Sequence, residues 1–297
     1  MPFQQCYQHQ FSKLLGLDIN NFYLNTDMDE YEYMWLLRCI YPKYFIDENH
    51  IEHLFIKKRI LVEISKGMYG LPQAGRLAYI TLIKHTQLHG YNHTGFTPGL
   101  FKNSTQDNMF SLVVDEFGLK YAAKNYALHL IDKLKKKYPG VTIYWSGIIF
   151  LGIYLDWDYT KRTVSLSMPN YVKKYLSIFQ HKKPKHDQHS PHTHTTPKYV
   201  PTIQYAPPST TSNITGSQII YFQQVIYTLL FYARFINSTM LTIVGYIDTN
   251  IFTYQWDNIN NRINHFLDHT STHPYDKLTH HKSDINLWVH IDDSYLT

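Results

Sequence analysis

Three carboxylates stand where chemistry can be done: Asp18, Asp115 and Glu116. Asp18 closes an apolar run, Leu14-Leu15-Gly16-Leu17, that reads as a buried strand ending near it. Asp115 and Glu116 fall at the tip of an alternating segment over residues 110–121. A strand end beside such a tip would gather three acids. Carboxylate oxygens suit hard cations, and two magnesium ions roughly 3.5–4 Å apart can clamp the attacking and leaving oxygens of phosphoryl transfer. A plainer explanation stands beside this one, because acids favour turns and strand ends without any function.

The elements that must position these acids are legible in the patterning. Phe110, Leu112 and Val114 face one way and Ser111, Val113 and Asp115 the other. Leu119 and Tyr121 continue beyond a turn read at Glu116-Phe117-Gly118, so the segment is a β-hairpin. Residues 60–64 read as another strand, and the glycines and Pro72 of Lys66 to Gly75 as an irregular loop before a helix from Arg76 to His89. An amphipathic helix is expected over residues 122–138, with Tyr126, Leu130 and Leu134 in one stripe. Strands follow at 148–155 and 162–168 around Asp156-Trp157-Asp158-Tyr159, then a short helix over Asn170–Gln180. Residues 181–213 are proline-rich and poor in apolar anchors, and read as an extended tether. Helices are expected over Gly216–Asn237 and Trp256–His269, and a last strand over residues 285–290. No solenoid repeat is present.

Composition bounds the function classes. The 297 residues are 44% hydrophobic and 16% aromatic, which fits a globular chain of one or two domains. A formal charge of +5 suits a nucleic-acid partner without establishing one. Two cysteines, Cys6 and Cys39, make neither a disulfide framework nor a four-ligand zinc site, and suit a reducing compartment. The most apolar segment, Ile219–Ile236, carries Gln223, Gln224 and Arg234, so it reads as a buried helix rather than a membrane span. The N-terminus has no basic start followed by an apolar run, so no secretory signal is expected and the location is intracellular. Histidines 181, 186, 189, 192 and 194 match no closed metal-site spacing.

Beyond these patterns, the chain resembles the Ty1/copia-like class of retrotransposon reverse transcriptases. Asp18-Ile19-Asn20-Asn21-Phe22-Tyr23 is similar to the first catalytic motif of that class, an aspartate followed five residues later by an aromatic. Tyr69-Gly70-Leu71-Pro72-Gln73-Ala74 is similar to the second motif and is the most specific match. Val113-Val114-Asp115-Glu116 occupies the place of the hairpin motif, which normally ends in two aspartates. Phe150-Leu151-Gly152-Ile153-Tyr154-Leu155 resembles the primer grip, and Asp292-Asp293-Ser294-Tyr295-Leu296 the opening strand of a ribonuclease H domain.

The resemblance implies an α+β fold. It would be a right-hand polymerase palm over residues 1–180 with truncated fingers, a tether over 181–213, connection helices over 214–283 and the start of a ribonuclease H domain over 284–297. It implies an RNA-directed DNA polymerase in which Asp18, Asp115 and Glu116 hold two magnesium ions, with manganese as the substitute. Tyr23 would act as the steric gate under the incoming sugar, Gln73 and Gly75 would lie against template and nascent pair, and Leu151, Gly152 and Ile153 would grip the primer. The implied partners are an RNA template, a DNA primer or RNA–DNA hybrid, and deoxynucleoside triphosphates. Lys133, Lys135, Lys136 and Lys137 could reach backbone phosphates. Glu116 departs from the pattern: its extra methylene moves the carboxylate by about 1 Å, a misplacement that can cost roughly a hundredfold in rate. With 17 residues ahead of Asp18 and no nucleotide-binding fingers among them, the expectation is an impaired or inactive polymerase. The competing readings are an inactive remnant that binds nucleic acid, and a different two-metal phosphoryl-transfer enzyme.

Overall fold

The computed structural model describes residues 12–95, 97–192, 214–252 and 256–282. The chain is α+β and divides into two compact units, Met1–Gly147 and Ile148–Thr297.

In the first unit, β1 (Lys13–Ile19) is buried along nearly its whole length, as a run of leucines on a central strand should be. A two-stranded sheet follows, made of β2 (Asp27–Leu37) and β3 (Arg59–Lys66) with the short helix α1 (Lys43–Glu48) between them. Next come α2 (Pro72–Gln87), β4 (Tyr91–His93), β5 (Leu100–Asn103), β6 (Asn108–Val113), β7 (Glu116–Tyr121), α3 (Lys124–Lys137) and β8 (Val141–Tyr144). Six of these strands form one sheet in the order β4-β5-β6-β7-β1-β8, antiparallel at every pairing. On one face Leu15 and Leu17 lie beside Leu119 and Phe117, and pack with Ala78 and Leu82 of α2 and Leu130 and Leu134 of α3. Each leucine or phenylalanine side chain so removed from water contributes about 1.5–3 kcal/mol. The register then sets Asp18 opposite Glu116, on the other face of the sheet.

Three local expectations change. The hairpin turn is Val114-Asp115, not Glu116-Phe117-Gly118: Glu116 already pairs with Val113, and Phe117 is fully buried. Helix α2 starts at Pro72 rather than Arg76, because proline suits a first helical position where no backbone donor is needed. Gln73 and Gly75 therefore belong to its first turn and not to a loop. Asp156 and Asp158 lie within a strand rather than at a turn.

The second unit holds β9 (Ile149–Phe150), β10 (Ile153–Asp158), β11 (Thr163–Ser167) and α4 (Tyr171–Ile178). It continues with α5 (Gly216–Phe235), α6 (Leu241–Asn250), α7 (Trp256–Thr272) and β12 (Leu278–His281). The sheet runs β12-β11-β10-β9. Helix α5 opens on a reciprocal capping box between Thr215 and Gln218. Among the described residues no helix is long and apolar enough to cross a membrane. The first part of the segment read as a tether, residues 181–192, lies along α7. His181 Nε2 meets Asp268 Oδ1 at 2.8 Å, His269 Nδ1 meets the Gln188 carbonyl at 3.1 Å, and the Gln188 amide donates to Thr272 Oγ1 at 3.0 Å. Polar anchors do there what apolar side chains do elsewhere. Residues 193–213, the strand expected at 285–290 and Asp292 lie outside the described residues.

Candidate active site

The site is built on the end of β1 and the β6–β7 turn. Ile19 donates its backbone N–H to the Asp115 carbonyl at 3.3 Å, which fastens the turn to the strand carrying Asp18. Asp18 lies close enough to Asp115 to feel its charge. Burial raises the Asp18 carboxyl above its ordinary range, and the charge of Asp115 raises it further. Glu116 stands beside Asp18 across the ladder, as their register requires. Asparagine 20, just past Asp18, takes a bond from Thr142 Oγ1 at 3.3 Å and donates its backbone N–H to Gly140 O at 2.9 Å, so the strand end is held on both sides.

Tyr23 lies in a short 3-10 turn, with its ring centroid 4.4 Å from that of Tyr69 and 5.7 Å from that of Phe22. Two glycines make room for it. A Cβ on Gly67 would come 2.6 Å from the Tyr23 carbonyl oxygen, and one on Gly75 would come 3.3 Å from its hydroxyl. The glycines of this motif thus serve a close approach, but the approach seen is to the chain's own Tyr23. Gln73 donates Nε2 to Glu32 Oε1 at 2.8 Å and to the Glu30 carbonyl at 3.3 Å, which ties α2 to β2. Tyr23, Gly75, Arg76, Tyr79, Leu112 and Val114 line a cleft of about 410 Å³, in which Val114 belongs to the turn that carries Asp115. Arg76 is exposed there and supplies positive charge at its rim.

Patterning missed Tyr69. Its hydroxyl donates to Asp115 Oδ2, and burial together with that acid pushes the phenol's ionisation well above its ordinary range, so it stays a donor. The signal was its place in the tyrosine-glycine-leucine string; what patterning could not give was the distance closed by folding.

Other expected residues belong to other elements of the chain. Leu151 and Gly152 form the two-residue turn between β9 and β10, with φ of 55° and 72°, and Ile153 opens β10. Two successive positive φ angles suit a tight hairpin, and glycine takes the second at little cost. In α3, Lys133 and Lys136 pair with Asp132 at 3.5 and 3.0 Å, while Lys135 and Lys137 are exposed. All four lie in the helix's last turns, where cations complement its dipole.

The donors on hand for a metal are Asp18 and Asp115. Hard carboxylate oxygens suit a divalent cation, which would offset the repulsion that the charge of Asp115 exerts on Asp18. Among the described residues no group of three or more His, Cys, Asp or Glu is gathered as a complete metal site.

No protein-family model matches the chain, and no curated protein does. One solved structure, telomerase from Candida albicans in complex with a TWJ fragment of telomeric RNA, aligns at 10% identity and a TM-score of 0.30. That alignment covers 92% of this chain and 48% of the telomerase chain, so this chain spans about half the length of that neighbour. At this level of likeness neither a fold family nor a function passes from one to the other.

Proposed function

We propose that the first unit carries the palm of an RNA-directed DNA polymerase of the reverse-transcriptase type, slowed by glutamate at position 116. The observation that carries the reading is the meeting of Asp18, at the end of a central strand, with Asp115 in the adjoining turn, fastened by the Ile19 N–H to Asp115 carbonyl bond and close enough for the charge of Asp115 to act on Asp18. Asp18 and Asp115 would hold magnesium, with Glu116 beside them as the third acid. When bound, the cations would favour the ionised primer 3′-hydroxyl and neutralise triphosphate charge. Tyr23 presents its ring at the cleft as a floor for the sugar, and Gly75 keeps the space over its hydroxyl open. Arg76 offers a guanidinium to phosphate oxygens.

A second reading is a nucleic-acid-binding module without turnover, and it is favoured by the lack of a gathered three-acid group among the described residues. Primer extension on an RNA template with magnesium and deoxynucleoside triphosphates separates the two. The polymerase reading expects slow extension that Asp115→Asn abolishes and Glu116→Asp raises by up to about a hundredfold. No extension from either protein, with duplex binding that weakens steeply in salt, selects the binding module. Phosphodiester cleavage without polymerisation would assign the acids to a different two-metal phosphoryl transfer.

A further inference from the structure

Asp115 is held in an awkward place. It follows Val114, a β-branched residue at φ 60°, in a two-residue turn. Side chains of that kind rarely take the left-handed region, so the turn depends on contacts from outside itself. The Ile19 amide holds its backbone, and the Tyr69 hydroxyl holds its carboxylate at Oδ2. A carboxylate has two oxygens, and with Oδ2 accepting from a phenol, Oδ1 keeps both of its lone pairs for a cation. The same Tyr69 lays its ring against Tyr23, centroid to centroid 4.4 Å at 41°. One side chain therefore touches both the acid at the turn and the aromatic lining the cleft.

We propose that Tyr69 is a positioning residue of the acidic site: its hydroxyl fixes Asp115 so that Oδ1 faces the cation, and its ring sets the plane of Tyr23. This rests on the polymerase reading for the identity of the cation and the nucleotide. The two halves of the role are separable. Tyr69→Phe removes the hydroxyl and keeps the ring; Tyr69→Ala removes both. Groups that orient a metal ligand typically contribute tenfold to a hundredfold in metal affinity.

The test titrates Mn2+ alone into the whole chain and its Tyr69→Phe, Tyr69→Ala and Asp115→Asn variants, and reads free Mn2+ by electron paramagnetic resonance. Thermal unfolding of each is measured alongside, and dTTP binding at saturating Mn2+ is measured by calorimetry. The expected result is Mn2+ affinity lowered about tenfold or more in Tyr69→Phe with an unchanged Tm. At saturating Mn2+, dTTP binding should be retained by Tyr69→Phe and weakened in Tyr69→Ala. Parent-like Mn2+ affinity in Tyr69→Phe, beside a clear loss in Asp115→Asn, overturns the role of Tyr69 and leaves the acidic site standing. A loss in Tyr69→Phe that follows a fall in Tm overturns it too, by making Tyr69 a packing residue. Mn2+ binding indifferent to Asp115→Asn removes the acidic site itself, and the role of Tyr69 with it.

Discussion

Asp18 and Glu116 are direct register partners across β1 and β7, two acids facing each other on adjacent antiparallel strands. Like charges opposite one another in a sheet are destabilising, by roughly 0.2–1 kcal/mol. An arrangement of that kind spends folding stability on a local concentration of negative charge.

Asp18→Asn is therefore expected to stabilise the protein at pH 7 by roughly 0.2–1 kcal/mol, measured by urea unfolding. The sign follows from the raised Asp18 carboxyl. The folded state holds this proton more tightly than the unfolded chain, so its stabilising contribution is full below the unfolded value of 3.8 and is lost as pH rises through the folded value. The gap between parent and variant should close on acidification. Saturating Mn2+ should raise the Tm of the parent and not that of the variant.

Asp115→Asn should lower the Asp18 ionisation without bringing it to the ordinary value, because burial is the larger cause of its shift and remains in the variant. Carboxyl-carbon NMR titration reads this directly. An Asp18 carboxyl unmoved by Asp115→Asn would mean that the two acids are not electrostatically coupled.

The two glycines around Tyr23 should behave differently. Gly67→Ala forces a Cβ against the Tyr23 carbonyl, a backbone atom that cannot move alone, and should cost about 1–3 kcal/mol in urea unfolding. Gly75→Ala meets only the tip of the Tyr23 side chain. It should cost under about 1 kcal/mol while tilting that ring, so discrimination between deoxy- and ribonucleotides shifts more than Tm does.

Strands and helices whose residues carried one clear period were legible in the sequence. The leucines before Asp18 gave β1, and the alternation from Phe110 gave β6. The period of α3 was plain from Tyr126, Leu130 and Leu134. The turn was read two residues late because Glu116 looks like a turn residue in isolation, whereas it is held in β7 by pairing with Asp18, 98 positions away in the chain. Pro72 was read as a loop marker for a similar reason, since proline opens helices as readily as it breaks them. The β2–β3 sheet was largely missed, because Tyr31, Tyr33, Trp35 and Leu37 alternate with half-buried residues and acids instead of facing a core. Among site residues, Asp18 and Asp115 were found by type and spacing. Tyr69 was not, for its partner lies 46 residues away.

Acid should loosen the second unit. Burial holds the His269 imidazole below its ordinary value of 6.5, with the neighbouring His273 and His265 pushing the same way and the Gln188 carbonyl and Asp276 opposing. The unfolded chain thus binds this proton more tightly, and the stability it represents is present above pH 6.5 and lost as pH falls below it. Hydrogen exchange of residues 181–192 should be faster at pH 5 than at pH 7.5 after correction for intrinsic rates. His269→Gln, which keeps a donor for the Gln188 carbonyl, should flatten that difference.

The central place of β1 has a meaning in time as well as in space. Its partners, β7 and β8, are made roughly a hundred residues after it, and pairings of such long reach close slowly. Until β1 slots between them, Asp18 and Asp115 belong to separate stretches of chain and no acidic pair exists. Cation binding by that pair would then report the last stage of refolding, and a metal-sensitive signal should lag behind the appearance of helix in α2 and α3.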